Sequence, residues 1–509
     1  MPTRLAELAI WPLAFLAFSA VAAAQPPAIA PHGIVNAASL MPQNLPGGKI
    51  AIGARISISG VRLVEPNSKT MIVLDQGGWH VSIPPATQKE DLLETTLPAD
   101  TPLGPVQVSV VNAQGTSRPH AITVVSSSPA IFTLNGEGWG PVGGPSRPGQ
   151  SVTIRVDSVN EKHAKVFVAG MEARITHRNG ESLTFVIPNK VPAGCWTPIW
   201  IESETGSLSN FATISLQRQN GCEQASGWPA LPRQPQSQNL LVIIERLQGT
   251  AEFDPGQVEA LGFERGVGIF FKAAAGGLTP FQVPPPSGTC TSYTGTFSFG
   301  RISEFLSVRR LIGSTDQVLD AGPALKFDDG GTRKWILRRR GSSYSGLLGG
   351  SAPFSRTHDP LLLDPGSYYV RVNGPEAIGK MDLAVDIPKP FEWLNESTLN
   401  DIDRNKGLEV LWRDTAPDRQ MVVAAISVDS DTGAMGSCFC VAPAGSSRMR
   451  IPPYALANFP VSFTSSGFAP RFVLLASIPR VANTRIASAG LTDARAVFLD
   501  VRGKNVNFQ

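Results

Sequence analysis

The sequence predicts an all-β protein, with two tandem immunoglobulin-like β-sandwiches followed by two further β-sandwich-like domains. Three observations favour this fold class. A segment of about 30 residues recurs about 90 residues later, and short runs of β-branched residues alternate with polar ones. Gly (49) and Pro (43) are abundant without a collagen-like period, which is typical of many short strands joined by turns. A chain of 509 residues is long enough for about three to four such domains.

The repeat joins residues 97–125 to residues 187–216. Both copies carry a Pro-x-x-x-Pro-x-Gly turn, a strand, a Gly-containing turn and a second strand. The shared positions are Pro98 and Pro188, Pro102 and Pro192, and Gly104 and Gly194. Residues 148–154 also echo residues 52–58, so both ends of the repeating unit recur. Two units of this size predict immunoglobulin-like sandwiches at 25–126 and 127–217, because propeller blades are shorter and need at least about four copies.

The first 24 residues predict a secretory signal peptide. Arg4 precedes an apolar stretch at residues 9–21, and three alanines at 22–24 offer a small-residue cleavage site. A retained membrane anchor is the alternative. No later stretch reaches about 18 apolar residues, so we expect no membrane insertion beyond the signal peptide. The expected location is secreted, extracellular or at the cell surface, with the periplasm as the alternative compartment.

Composition limits the class of partner. Hydrophobic residues make up 42% and charged residues 17%, which suits packed cores. The net charge of +3 is small for this length and argues against nucleic-acid binding through a phosphate-neutralising surface. An extracellular protein or a glycan is the expected partner.

Several short motifs resemble a family of secreted bacterial paired immunoglobulin-like domains of the IPT/TIG type. They are VNAAS at 35–39 with a following Pro-Gly, SSPAIF at 127–132, a Gly-x-Gly-x-Gly-Pro turn at 136–141, VPAG at 191–194 and Ser-Asn at 209–210. The resemblance covers about residues 33–216. The segment 143–148 is shorter than the corresponding loop is in that family. The resemblance implies fold and secretion only, because the family is not tied to one activity.

The second half begins after a Pro/Gln/Ser-rich linker at 218–239. Residues 240–387 and 388–509 are predicted as the third and fourth domains, with Leu-Asp-Ala-Gly, Asp-Asp-Gly-Gly and Leu-Asp-Pro-Gly as turns between strands. Asp254 followed by Pro255 predicts the start of a short helix over 254–261.

Five cysteines in an oxidising compartment are disulfide candidates first. Cys195 and Cys222 flank the last hairpin of the second repeat and are predicted to pair. Either Cys438 or Cys440 is free to pair with Cys290, which leaves the other as a thiol.

No constellation in the sequence predicts catalysis or a metal site. There is no Gly-x-Ser-x-Gly elbow, and the six histidines are scattered; they are His32, His80, His120, His163, His177 and His358. Residues 401–407 and 429–433 have oxygen-bearing side chains at alternating positions, as calcium loops do. Their spacing departs from that pattern, so Asp-capped turns are favoured. We expect no cofactor and no metal.

Four tryptophans are candidates for stacking on a sugar ring: Trp79, Trp139, Trp196 and Trp200. The first two lie in Gly-rich turns, and the last two are four apart on a predicted strand and so share a face. Burial as core side chains is the favoured alternative.

These observations predict a non-enzymatic extracellular or cell-surface protein that acts in binding, adhesion or scaffolding, because tandem sandwiches present loops at fixed separations. One alternative is a carbohydrate-binding accessory module. The third hypothesis is a hydrolase with an unrecognised site in residues 240–509.

Overall fold

The computed structural model describes residues 25–43, 45–134, 140, 142–143, 146–159, 163–192, 194–216, 236–254, 257–273, 285–296, 316–351, 359–375, 378–462, 470–479 and 490–509. Within these ranges almost every regular element is a β-strand, which confirms the predicted fold class. The predicted signal peptide at 1–24 and most of the predicted linker lie outside them. No helix among the described residues is long and apolar enough to cross a bilayer.

Unit 1 is a sandwich of two sheets. Its strands are β1 Ala28–Asn36, β2 Ile50–Ala51, β3 Arg55–Val61, β4 Met71–Gln76, β5 Trp79–Ile83, β6 Thr87–Lys89, β7 Leu92–Thr96, β8 Gly104–Asn112, β9 Gly115–Thr116 and β10 His120–Val125. One sheet has the order β1-β3-β7-β6, and the other has β2-β10-β8-β4-β5 with β9 on β8. Alternate residues of β3 and β8, such as Ile56, Ile58, Val106 and Val108, fill the core between them.

Unit 2 is built from one continuous seven-stranded sheet in the order β11-β12-β15-β14-β13-β16-β17. Its strands are β11 Ala130–Ile131, β12 Ser151–Asp157, β13 Lys165–Val168, β14 Met171–Asn179, β15 Ser182–Val186, β16 Gly194–Glu202 and β17 Ala212–Leu216. The core includes Ile154, Val166, Phe185, Ile199 and Ile214.

The repeated Pro-x-x-x-Pro-x-Gly turn has the same structure in both units. The Thr101 N–H donates to the Pro98 carbonyl at 3.2 Å, and the Val191 N–H donates to the Pro188 carbonyl at 3.2 Å. The glycine that ends each turn, Gly104 or Gly194, is the first residue of a long strand. The repeat therefore marks one turn that feeds equivalent strands, as the sequence predicts.

Residues 236–509 form what we call the C-terminal assembly, in which 13 strands share one sheet. The first part contributes β18 Gln238–Asp254, β19 Gln257–Lys272, β20 Cys290–Thr296, β21 Gln317–Val318, β22 Ala324–Asp328, β23 Lys334–Arg340, β24 Ser343–Gly350, β25 Gly366–Asn373 and β26 Lys380–Ile387. The second part contributes β27 Glu392–Trp393, β28 Asp401–Ile402, β29 Leu408–Arg413, β30 Arg419–Val428, β31 Ala434–Val441, β32 Arg448–Ile451, β33 Arg471–Pro479, β34 Asp493–Asn505 and β35 Asn507–Phe508, with helix α1 at Pro453–Leu456 and a 3-10 turn at Glu396–Thr398.

The shared sheet crosses the predicted boundary between the third and fourth domains. Its order is β20-β31-β30-β33-β34-β18-β19-β24-β23-β22-β25-β26, with β21 on β19. β34 pairs in parallel with β18, and β20 pairs with β31. Two cores nevertheless form. Unit 3 has a core under β22–β26, with β18 and the start of β34, and unit 4 has a core under β29–β33.

Two local expectations need correction. The predicted helix over 254–261 is wrong: Asp254 ends β18 and pairs with Gln257 at the start of β19. Asp-Pro begins turns as readily as helices, and the long strands on either side decide between the two. The predicted linker also ends earlier than residue 239, because β18 starts at Gln238.

Candidate functional site

The motif residues that carry the family resemblance meet at the junction between units 1 and 2. The Asn36 side chain is fully buried; its Oδ1 accepts from the Ala38 N–H at 2.8 Å, and its Nδ2 donates to Asp157 Oδ2 at 3.4 Å. A methyl group on Gly47 would lie only 2.2 Å from the Asn210 nitrogen. The loops 36–48 of unit 1 and 209–210 of unit 2 are therefore in tight contact.

Asp157 is the central acceptor of this junction. Its Oδ2 also accepts from the Arg55 N–H at 3.0 Å, while the Arg55 side chain contacts Glu181 at 2.7 Å. Burial raises the pKa of Asp157, although the hydrogen bond from Arg55 opposes this. The Arg155 guanidinium lies 4.2 Å from the centre of the Phe132 ring, which covers the outer side of the contact.

The junction between units 2 and 4 is aromatic, and it contains one of the predicted ligand-stacking residues. The Trp200 ring is 4% exposed and stacks on Phe167 at 5.2 Å, on Phe211 at 5.1 Å and on Tyr454 of unit 4 at 4.5 Å. Burial raises the pKa of Tyr454 to about 12. With its faces covered, Trp200 packs at a junction, and this position gives it no free face for a sugar.

The other predicted stacking residues have different surroundings. Trp79 begins β5 after a Gly77-Gly78 turn in which both glycines have positive φ, and its half-buried ring packs on the unit 1 core. Trp196 lies where the β16–β17 register is irregular. Its side chain and that of Cys195 lie outside the described part of the chain, as do Trp139 and Cys222. The Cys195–Cys222 pairing and stacking by Trp139 and Trp196 remain predictions.

Cys290 and Cys440 form a disulfide between the paired strands β20 and β31. Cys438 is a buried free thiol whose pKa is raised to about 12 by that burial. The expected pairing of Cys290 with one of the two neighbouring cysteines is confirmed. The bridge fixes residues 290–296, which precede most of unit 3 in sequence, into unit 4.

Both calcium-like segments are turns, as expected. Asp403 Oδ1 accepts from the Asn405 N–H at 2.9 Å, and Lys406 contacts its other oxygen at 3.1 Å. Asp429 accepts from the Asp431 N–H at 3.0 Å and from the Thr432 hydroxyl at 2.7 Å. In the described part of the chain, no three His, Cys, Asp or Glu side chains are grouped as metal ligands.

A cleft of about 490 Å³ opens at one end of unit 4, lined by both polar and apolar residues. It lies between the β29–β30 loop (414–418) and the β31–β32 loop (442–447). Buried Trp412 of β29 holds the second of these loops, since its backbone N–H donates to the Ser447 carbonyl at 2.9 Å and its Nε1 donates to the Ser446 carbonyl at 3.0 Å. One wall of the cleft is therefore anchored to β29.

The rim of the cleft carries exposed polar groups. Arg413 donates to Glu392 at 2.6 Å and lies 3.6 Å from Asp414. Asp414 has φ of 63°, a conformation that aspartate tolerates better than most residues, and 70% of its side chain is exposed. Gln420 donates to the Ala442 carbonyl. Asp414 is the one carboxylate among the lining residues of the cleft.

Arg419 forms the buried floor of the cleft. Its guanidinium donates to the carbonyls of Ser477 and Phe498 at 2.7 Å each, and burial lowers its pKa to about 10. It therefore remains a cation at neutral pH. Its position links the cleft to the seam between units 3 and 4.

That seam is a buried charge row, which we define as Glu264, Arg246, Asp500 and Arg419. Glu264 pairs in register with Arg246, and Arg246 with Asp500, across β19, β18 and β34. The Arg246–Glu264 ion pair has a distance of 2.7 Å, with the two side chains 6% and 0% exposed. Glu264 also accepts from the N–H groups of Leu362 and Leu363. Burial raises the pKa of Asp500.

Sequence reasoning missed both the cleft and the charge row. The cleft has a weak signal, namely the polar stretch RDTAPDR at 413–419 between two strands. The charge row has no local sequence signal, since its members are separated by up to about 250 residues and come together only through strand pairing.

No family model and no curated protein matches the sequence. Among solved structures, this chain is similar to SGBP-B of the Bacteroides ovatus mixed-linkage glucan utilization locus, at 9% identity over 61% of this chain and 74% of that chain, with a TM-score of 0.23. A Bacteroides uniformis SGBP-B from a xyloglucan locus matches at 11% identity over 70% and 96%, with a TM-score of 0.19. Titin domains A168–A170 match at 11% identity over 70% and 96%, with a TM-score of 0.15. Scores of this size carry no argument about function.

Proposed function

We propose that this chain is a non-enzymatic extracellular or cell-surface binding and scaffolding protein, which holds its loop ends at fixed separations. The observation that carries this proposal is the construction of the junctions. Buried Asn36 and Asp157 join units 1 and 2, the Trp200–Tyr454 stack joins units 2 and 4, and strands are shared between units 3 and 4. Flexible linkers would not need such contacts.

We assign the cleft of unit 4 as the ligand-binding site of this protein. Its rim offers the guanidinium of Arg413 at the end of β29, the carboxylate of Asp414 in the following loop and the amide of Gln420 in β30. Planar side chains with both donors and acceptors suit a ligand rich in hydroxyl groups or peptide bonds. A ligand rich in hydroxyl groups would make the chain a carbohydrate-binding accessory module, the second candidate function.

A ligand screen with a glycan array and a library of extracellular proteins tests the proposal. We expect one ligand whose binding is lost in Arg413→Ala/Asp414→Ala but kept in Lys69→Ala/Lys89→Ala, which changes exposed residues of unit 1. A saccharide ligand would select the second candidate. Each captured ligand is then incubated with the protein, and release of a cleavage product would contradict the non-enzymatic proposal in favour of the hydrolase.

The resemblance to paired IPT/TIG-type domains stays a proposal as well. It is supported by the position of its motif residues, which build the junction of units 1 and 2 from buried Asn36 and Asn210.

A further inference from the structure

The outer face of unit 3 is a second candidate binding surface, distinguished by its exposed positive charges. Alternate residues of β22 and β23 point inward to the core, among them Leu325, Phe327 and Leu337. The residues between them lie on the outer side of the sheet; most are exposed, while Asp328 is buried and paired with Arg371. We call this surface the basic face and define it by its outward members: Lys326, Lys334, Ile336, Arg338, Arg340, Ser343, Ser345 and Leu347.

Three cations of this face have no ion-pair partner among the described residues, whereas a fourth, Lys334, lies opposite Asp328. Exposed Lys326, Arg338 and Arg340 make no ion pair or side-chain hydrogen bond with another described residue. Neighbouring Arg371, in contrast, is held by Asp328 and by Asp382 at 2.8 Å. Three positive charges on one side of this sheet are thus unpaired within the described part of the chain, and the full sequence has a net charge of only +3.

The strand register places these cations on one face. Lys326 lies directly opposite Arg371 on β25, whose guanidinium is held by Asp328 and Asp382. Arg338 and Arg340 lie two apart on β23 and so project from the same face. The excess positive charge on this face therefore comes from Lys326, Arg338 and Arg340, and it favours a ligand of opposite charge.

The groups around the cations indicate the kind of ligand. Ser345 lies opposite Arg338, and Ser343 opposite Arg340, so each arginine has a serine as its cross-strand neighbour. Guanidinium groups bind sulfate and carboxylate with two parallel hydrogen bonds. Ile336 and Leu347, 51% and 50% exposed, offer apolar contact on the same face for the C–H surfaces of sugar rings.

The spacing of the cations on the basic face favours a polymeric anion over a small anion. Side chains on one face repeat at about 7 Å along a strand and about 5 Å between strands. The cations follow this flat lattice and do not converge on a pocket. A linear chain with an anion on each repeat meets several of them at once, and the contacts then reinforce one another.

We propose that the basic face of unit 3 binds a linear anionic polysaccharide, with Arg338, Arg340 and Lys326 as the charged contacts. The choice of a polysaccharide over a nucleic acid rests on the extracellular function proposed above. The basic face is separate from the cleft, so either site can fail without the other.

The test compares Lys326→Gln/Arg338→Gln/Arg340→Gln with a matched control, Lys69→Gln/Lys89→Gln/Lys190→Gln, which removes three exposed lysines from units 1 and 2. Binding of the full secreted chain is measured to polygalacturonate, dextran sulfate, uncharged dextran and single-stranded DNA of equal charge. We expect salt-sensitive binding to at least one anionic polysaccharide, at least a tenfold loss in the face variant and less than a twofold change in the control.

The single variant Arg340→Gln guards against misfolding of the triple variant, and its loss should be about two- to fivefold. Equal losses in the face variant and the control would overturn the proposal. So would a lack of binding to both anionic polysaccharides, or binding of DNA as tight as theirs. The cleft variant Arg413→Ala/Asp414→Ala should keep polysaccharide binding, which separates this test from that of the proposed function.

Discussion

Units 1 and 2 are joined in a different way from units 3 and 4. The first two have separate sheets and separate cores, and short motif loops around Asn36 and Asn210 connect them. The last two share one sheet, with a buried charge row between their cores. An interface of loops can be altered without loss of either core, whereas shared strands make the two cores depend on each other.

Glu264→Ala should have the largest effect, because it leaves Arg246 buried without its partner at the seam of units 3 and 4. We expect a loss of about 3–5 kcal/mol in the free energy of unfolding, measured with urea. The matched control is Glu181→Ala at the junction of units 1 and 2, where the Arg55 pair is largely exposed. That change should cost less than about 1 kcal/mol. Equal costs would remove the distinction between the two junctions.

Trp200→Ala should cost about 3 kcal/mol, since a buried ring with three aromatic neighbours leaves a cavity. Trp79→Ala is the control, because that ring is half-buried at one edge of unit 1, and about 1 kcal/mol is expected. Thermal unfolding gives the stabilities. If Trp200→Ala instead left stability unchanged and abolished binding of a sugar, its assigned packing role would be wrong.

Replacing both Cys290 and Cys440 with alanine should lower the stability of the C-terminal assembly by about 2–5 kcal/mol, because the bridge closes a long loop. Urea unfolding measures the change in stability.

In the native protein, Cys438 should not react with a thiol reagent at pH 8, since burial raises its pKa to about 12. Mass spectrometry after alkylation measures the reaction of Cys438. Rapid native labelling of Cys438 would contradict this packing of β20 on β31.

The smallest effect is expected at Asp157, whose pKa burial raises above the ordinary 3.8. The folded state therefore binds a proton more tightly than the unfolded state does. Through this group alone, stability should rise as the pH falls through the raised pKa toward 3.8. Asp157→Asn should change stability at pH 7 by no more than the ~0.5–1.5 kcal/mol of one hydrogen bond and should flatten the acid dependence. A steeper dependence in the variant would contradict this assignment.

The same comparison shows how far the sequence could predict the structure. The two sandwiches could be predicted because Pro98 and Pro188 begin the same turn, and a turn depends on only a few adjacent residues. The shared sheet could not be predicted, since β18 and β34 pair over a separation of about 250 residues and the sequence of neither strand specifies its partner. Asp254-Pro255 was mistaken for a helix start because the signal is local and the deciding strands are long.

The site follows the same pattern. The sequence makes Trp200 a candidate for stacking on a sugar and favours burial, and the structure shows burial. The sequence could not show that the covering ring is Tyr454, a residue about 250 positions away. The basic face had a local signal at residues 338–340, and only the pairing of β22 and β23 adds Lys326 to it.

Small-angle X-ray scattering of the purified protein tests most directly whether the four units keep one fixed arrangement. The wild-type curve should fit one arrangement of the four units and should not change between low and high salt. Trp200→Ala should lose that single fit, because it removes the stack that joins units 2 and 4. A wild-type curve that fits only a broad ensemble of unit orientations would contradict the central claim that buried junctions hold the units in place.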